Sequence, residues 1–292
     1  MAAEKTVFLL LLGTRDAGDR YQALQEEVAL AAGRRLGLRV ETAYAAGFDQ
    51  LRVLKRRASE GLDAAVFEPA TVSTLGFVLR ELRGRTGLVM LNAWDAAIEE
   101  AAPGWGPLPL GTVSTDHARI GRIQGEQARA LLPAGGKLLC VTGPTRSSAA
   151  RERLAGLRAG LGEGYEVLDA EAGDWTEAGG EAAFGDWFRV FSPRGTAVAV
   201  IAAQSDELAM GVRRAIQALP PSPKADAVRG ALLLGVDACP GYGKELVDAG
   251  TLTASVQMPA NADVALESLH RFWDRGTPVP LRTLTEPLPY PR

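Results

Sequence analysis

Along the chain, short unbroken apolar runs alternate with longer stretches in which apolar residues recur every three or four positions. The first run, residues 7–12, precedes residues 21–36, where Leu24, Val28, Ala31 and Leu36 keep a roughly helical spacing. Run 38–42 leads into helix 48–59, run 64–67 into helix 72–82, and run 88–91 closes the set. Strands alternating with helical segments predict βαβ units and a parallel sheet. Strands that are apolar throughout, and not at every second position, predict a sheet covered on both faces. A Pro/Gly-rich stretch at 103–109 punctuates the chain, and a second series follows it. That series predicts strand 110–113 with helix 116–132, strand 137–142 with helix 150–161, and strand 165–168 with helix 177–190. Strand 197–201 then precedes helix 205–219, strand 232–236 precedes helix 241–249, and strand 252–256 precedes helix 261–273. Two sets of similar size predict an α/β fold of two lobes. Periodicity alone leaves open whether the helix at 261–273 returns to the first.

Composition narrows the function. The chain has 292 residues, 47% apolar and 23% charged, which is too apolar and too balanced for intrinsic disorder. That length lies between one large domain and two smaller ones. Lys plus Arg number 32 and Asp plus Glu 35, a net charge of −3. A protein that neutralises phosphates needs a basic excess, so no nucleic-acid partner is expected. Cys140 and Cys239 are too few for a disulfide framework or a four-ligand zinc site. Run 7–12 is too short for a signal-peptide core, without a basic segment before it or a small-residue cleavage site after it. No run approaches the 18 or more residues of a membrane span. The chain is expected to be either cytoplasmic or a mature form lacking its export signal.

Catalytic motifs fail on inspection. The glycines at 160, 162 and 164 follow a helix and lack dinucleotide-binding spacing, so they read as a helix C-cap. Gly243-Lys244 has Ala238 at the first glycine of a phosphate loop and Glu245 in place of Ser or Thr. His117 and His270 lack Cys or His neighbours at ligand spacing and read as helix-surface residues. No serine-nucleophile elbow is present. The chain is not expected to be an enzyme, nor to hold a metal or cofactor.

A set of polar and aromatic residues remains, each just beyond the C-terminal end of a predicted strand, where open parallel sheets bind ligands. Asp16, Asp19 and Tyr21 follow the first strand, Glu68 the third, and Asn92, Trp94 and Asp95 the fourth. Arg146 and Arg151 follow the sixth, Trp175 the seventh, Gln204, Ser205 and Asp206 the eighth, and Asp237 the ninth. Each alone has a plain structural reading, Ser205 or Asp206 as a helix N-cap and the tryptophans as packing residues. Jointly they supply carboxylates, the forked donors of arginine and flat aromatic faces, a combination suited to a sugar or polyol.

Five segments carry a resemblance: Ser148-Ala-Ala-Arg151-Glu-Arg153-Leu-Ala-Gly156, Ala203-Gln-Ser-Asp206-Glu-Leu-Ala-Met-Gly211, Gly235-Val-Asp237-Ala-Cys-Pro-Gly-Tyr-Gly243, Asp248-Ala-Gly-Thr-Leu-Thr-Ala-Ser255 and Val113-Ser-Thr-Asp116. In that pattern the chain resembles, over nearly its whole length, the type I periplasmic sugar-binding proteins of ABC transporters, the ribose-binding-protein-like group. The resemblance implies two Rossmann-like lobes with parallel central sheets joined by hinge crossovers, residues 1–112 with 258–280 and residues 113–257 with 281–292. It implies ligand capture in a cleft by closure about hinges near 113–114, 256–258 and 278–280. It implies a membrane permease as partner, a monomer, and a periplasmic location with the export signal removed, or the cytoplasm if the chain is full length.

Carried over by position, Arg151 matches the arginine that grips sugar hydroxyls, Asp237 the binding aspartate and Trp175 the aromatic wall. Asn92 stands where many members have Asp, and Ala93 where an arginine is usual. Ser205 replaces an asparagine, and Met258 falls near the hinge glutamine, with Gln257 taking that place if the alignment slips by one. The usual first-strand aromatic signature is missing, with Tyr21 its best substitute. These departures put ribose in doubt and point to another pentose, a hexose, a polyol or a less polar ligand. Rival readings share the lobes: the effector core of a lactose-repressor-family regulator, or an enzyme or cytosolic sensor. The first strand begins near residue 6, which leaves no room for a DNA-binding domain if the chain is complete.

Overall fold

The computed structural model describes residues 4–15, 19–190 and 198–291; Asp16 and Ala197 lie outside the described residues. In chain order the first elements are β1 (Thr6–Leu12), α1 (Arg20–Leu36), β2 (Arg39–Ala45), α2 (Asp49–Ser59), β3 (Ala64–Phe67), α3 (Val72–Leu82), β4 (Gly87–Leu91), α4 (Ala96–Ala101) and β5 (Leu110–Thr115). Next come α5 (His117–Leu131), β6 (Gly136–Thr142), α6 (Ser148–Leu161), β7 (Tyr165–Glu171), α7 (Glu177–Val190), β8 (Val200–Ala203), α8 (Asp206–Ala218), α9 (Pro223–Arg229) and β9 (Leu232–Leu234). The last are α10 (Gly243–Asp248), β10 (Ser255–Gln257), α11 (Ala262–Arg275), β11 (Thr283–Thr285) and β12 (Leu288–Tyr290).

The chain divides into two compact units, Met1–Thr115 with Ala260–Thr285, and Asp116–Pro259 with Glu286–Arg292. It therefore passes from one unit to the other three times.

In the first unit a six-stranded sheet runs β11-β5-β4-β3-β1-β2, and its pairings are all parallel. The unbroken apolar strands are explained by their two faces. Phe8 and Leu10 of β1, Phe67 of β3 and Met90 of β4 face one core, with Leu54, Leu75 and Trp105. Val7, Leu9 and Leu11, with Val66 and Leu91, face the other, which Ala262, Ala265, Leu266 and Leu269 of α11 complete. The helix at the far end of the sequence thus belongs to the first unit.

The second unit holds a parallel four-stranded sheet, β7-β6-β8-β9, and a two-stranded antiparallel ribbon, β10-β12. Leu139, Val141, Ile201 and Ala203 face one core, and Leu138, Cys140, Val200 and Ala202 the other. Leu252, expected in a strand, instead donates its N–H to Leu246 O (3.0 Å) beyond α10, so pairing starts only at Ser255. In both sheets the chain reverses strand order beside the first strand of the set, between β1 and β3 and between β6 and β8. A crevice at the carboxyl ends is the expected ligand site of such sheets.

Candidate functional site

At the carboxyl end of the first unit's sheet, side chains from four segments join in one partly buried network. Tyr21, early in α1, accepts at its hydroxyl from Gln25 Nε2 (3.0 Å) and from Asn92 Nδ2 (3.2 Å), just past β4. Glu68, just past β3, accepts at Oε2 from Gln22 Nε2 (2.9 Å) and Asn92 Nδ2 (3.2 Å). Gln50 fixes the backbone there, donating to Glu68 O (2.7 Å) and accepting from Ala70 N (2.8 Å). Asn92 sits at φ 51, in the left-handed region that asparagine tolerates better than most residues. Asp19 stands outside this network as the N-cap of α1, accepting from Gln22 N (3.0 Å). Burial raises its carboxyl above the usual range against the pull of that bond. Trp94 packs partly buried against the core, with the Arg282 guanidinium 5.0 Å from its ring centroid. Asp95 is the N-cap of α4, accepting from Ala97 N (2.9 Å). Of the six described candidates in this unit, the structure brings together Tyr21, Glu68 and Asn92.

Arg15 is held beside this edge by a carboxylate. Glu26 of α1 accepts from both Arg15 terminal nitrogens, from Thr42 Oγ1 and from Tyr44 Oη (2.9 Å). Burial pushes the Glu26 carboxyl up, but the bonds from Thr42, Arg15 and Tyr44 outweigh it and leave the pKa below the ordinary 4.5. A carboxyl depressed on folding contributes stability that is complete above its unfolded value and is lost as pH falls through the folded one. Glu26→Gln is therefore expected to cost about 1–2 kcal/mol at pH 7 in urea unfolding. The gap to wild type should begin to shrink below the unfolded value and close as pH falls through the lower folded one, and an equal gap in neutral and acid solution would contradict this.

In the second unit the centre is an arginine that the resemblance did not select. Arg153 of α6 is 4% exposed. Its Nη1 donates to Gln204 O, its Nε to His117 Nδ1 (3.4 Å) and its Nη2 to Met258 Sδ (3.0 Å). The guanidinium lies 5.4 Å from the Trp175 ring centroid, within cation–π range. Gly143 makes room for that indole, because a Cβ there would come within 2.2 Å of the ring. Arg151 is exposed and donates to Thr145 O (2.7 Å). The buried guanidinium of this helix is thus Arg153's. His117 is also a correction: expected on a helix surface, it is buried against Arg153.

The remaining candidates are placed by the backbone. Ser205 is the N-cap of α8, its Oγ accepting from Leu208 N (3.1 Å), which decides the cap in its favour over Asp206. Asp206 is enclosed, accepting from Ser255 Oγ (2.7 Å) and Ala238 N (2.8 Å). A Cβ at Gly235 or Gly243 would fall within 2.0 Å of its oxygens, so both positions need glycine. Burial pushes the Asp206 carboxyl up to about 7, opposed by Ser255, Ala238 and Arg153. Asp237 and Ala238 both have positive φ, 104 and 42, at the turn after β9. Asp237 N donates to Val256 O (2.9 Å) and Asp237 O accepts from Met258 N (3.1 Å), so Asp237 and Met258 are held side by side. Arg146 is exposed and reaches Gly173 O (3.1 Å).

Arg153 is legible in principle. The buried positions of α6 include Ala149, Ala150, Arg153, Gly156, Leu157, Gly160 and Leu161, one stripe at spacings of three and four. Arg151 falls off that stripe. Among the described residues no group of three or more His, Cys, Asp or Glu side chains is placed to hold a metal ion. No helix among them is long and apolar enough to cross a membrane.

A family model described as a periplasmic binding protein domain matches residues 14–276. No curated protein matches the chain. Among solved structures, a Mycobacterium smegmatis protein in complex with β-D-fucofuranose is 20% identical with a TM-score of 0.82, over 98% of this chain and 91% of that one. A periplasmic solute-binding protein of an ABC transporter from Actinobacillus succinogenes, with bound D-allose, is 14% identical with a TM-score of 0.82, over 98% and 97%. A Caulobacter myo-inositol binding protein bound to myo-inositol is 18% identical with a TM-score of 0.80, over 99% and 94%. At these identities the likeness establishes the fold.

Proposed function

The chain belongs to the periplasmic binding protein domain family, and from that premise we propose that it is the solute-binding receptor of an ABC importer for a sugar or cyclic polyol. The observation that carries this reading is the buried Arg153, stacked on Trp175 beside Met258 and the Asp237 turn. A guanidinium offers forked donors to vicinal hydroxyls, and an indole covers the C–H face of a ring. Within the second unit we assign the grip to Arg153 in place of Arg151, with Trp175, Asp237 and Met258 around it. Within the first unit, Tyr21, Glu68 and Asn92 are the polar contacts, while Ser205, Asp19 and Trp94 serve the fold.

Neighbours holding β-D-fucofuranose, D-allose and myo-inositol support the ligand class. Family and neighbours favour transport over a regulator's effector core. We read the chain as a periplasmic binding protein without turnover, acting as a monomer that delivers its ligand to a membrane permease. Ligand-driven closure is the expected motion, since a ligand that prefers one conformer shifts the population toward it.

A thermal-shift panel tests the reading. A sugar present at 100 times its Kd stabilises its receptor by about 2.7 kcal/mol. At least one pentose, hexose or inositol should raise the melting temperature by several degrees. No shift across the panel would reject a sugar ligand.

A further inference from the structure

We propose that Asn261 is a positioning residue, whose side chain clasps Asn92 at the binding edge to Thr115 and Thr285, the two residues at which the chain leaves the first unit. The inference rests on the sugar-receptor reading only for the role of Asn92.

Asn261 is completely buried and stands at the N-cap position of α11, yet its side chain makes no cap. Gln25 of α1 takes over that task, its Oε1 accepting from Asn261 N and Ala262 N (both 2.9 Å). The Asn261 carboxamide is thereby released for long-range bonds. Its Nδ2 donates to Asn92 Oδ1 (2.7 Å) and Thr115 Oγ1 (3.1 Å), with Tyr21 Oη farther away at 3.5 Å. Its Oδ1 accepts from Thr285 Oγ1 (2.7 Å), and the two threonine hydroxyls lie 3.1 Å apart. Thr115 ends β5, Thr285 ends β11, and the first unit resumes at Ala260.

One carboxamide therefore joins the end of β4 to all three places where the chain crosses between units. Asn92 is held from the other side by its backbone N, which donates to Val113 O (3.0 Å), and by Tyr21 and Glu68. A contact that moves Asn92 must rearrange Asn261 and the crossing strands. Coupling of this kind is reciprocal: loosening the clasp at Thr285 must loosen Asn92.

The test is amide hydrogen exchange in Thr285→Val, which removes the hydroxyl at nearly constant volume. Exchange over residues 88–95, far away in sequence, is expected to quicken about tenfold, with residues 136–142 of the second unit unchanged. Thr285→Ser keeps the hydroxyl and should restore wild-type rates. Asn261→Asp places an acceptor against Asn92 Oδ1 or Thr115 and should give the same pattern, enlarged. Unchanged exchange at 88–95, or an equal rise at 136–142, would overturn the clasp. In the same variants, affinity for whichever of D-allose and myo-inositol binds wild type should fall about tenfold, and unchanged affinity would overturn the positioning role. If wild type binds neither, that counts against the sugar reading for these two, while the exchange rates still decide the clasp.

Discussion

Arg153→Ala is expected to lower sugar affinity at least about 100-fold, or about 2.7 kcal/mol, whereas Arg151→Ala should change it less than about threefold. The two arginines are two residues apart on one helix but face opposite environments. Arg151 is exposed and its contact is a local carbonyl. Arg153 is buried, bonded to Gln204 O, His117 and Met258, and stacked on Trp175. Truncating one member of a buried, hydrogen-bonded charged contact costs about 2–5 kcal/mol, because the partner groups are left unsatisfied. Arg153→Lys separates charge from geometry: it keeps the cation, loses the planar fork, and should bind with an intermediate affinity. Binding is read by titration at a temperature where each variant gives a cooperative melt, so that loss of grip is distinguished from loss of fold. Equal losses in Arg151→Ala and Arg153→Ala would contradict the assignment.

Gly156→Val should destabilise the protein by about 3 kcal/mol or more, the upper range for overpacking. Helices α5 and α6 touch through backbone at four glycines. An added Cβ at Gly121 would meet Arg153 O at 1.9 Å, and at Gly156 it would meet Ala118 O at 2.1 Å. At Gly125 it would meet Leu157 O at 2.4 Å, and at Gly160 Arg122 O at 2.3 Å. Backbone carbonyls have no rotamer with which to move aside, so the helices must separate. That separation also pulls His117, at the start of α5, from Arg153 on α6. Gly185 of α7 is the control: a methyl group added there would meet nothing within 4 Å. Gly185→Ala should be neutral or stabilising by about 0.5–1 kcal/mol, since alanine is the better helix former. Urea unfolding of both variants checks this. A loss under about 1 kcal/mol in Gly156→Val would mean that the helices are not packed this closely.

The central strands β1, β3, β4, β6 and β8 are legible because they are apolar on both faces, and both faces are covered. Asp116 and Asp19 mark helix starts by capping them, as their side-chain bonds to Arg119 N and Gln22 N attest. The short elements are not legible. α4 has six residues, and β11 owes its existence to pairing with β5, a partner 170 positions away. At the site, strand ends point to Tyr21, Glu68 and Asn92, which do form one network. Arg153 escapes such a reading because a charged residue on a helix looks solvent-facing unless its place on the buried stripe is counted. Asn261 gives no signal at all: beside a predicted helix start it looks like a cap, and only the fold brings Asn92, Thr115 and Thr285 to its side chain.

The most direct measurement is a calorimetric titration of wild type and Arg153→Ala with D-allose, myo-inositol and D-fucose. Wild type should bind at least one of them saturably and one-to-one, with a Kd in the micromolar range or tighter, and the variant should lose that binding. No saturable binding by wild type, or equal binding by both proteins, would contradict this.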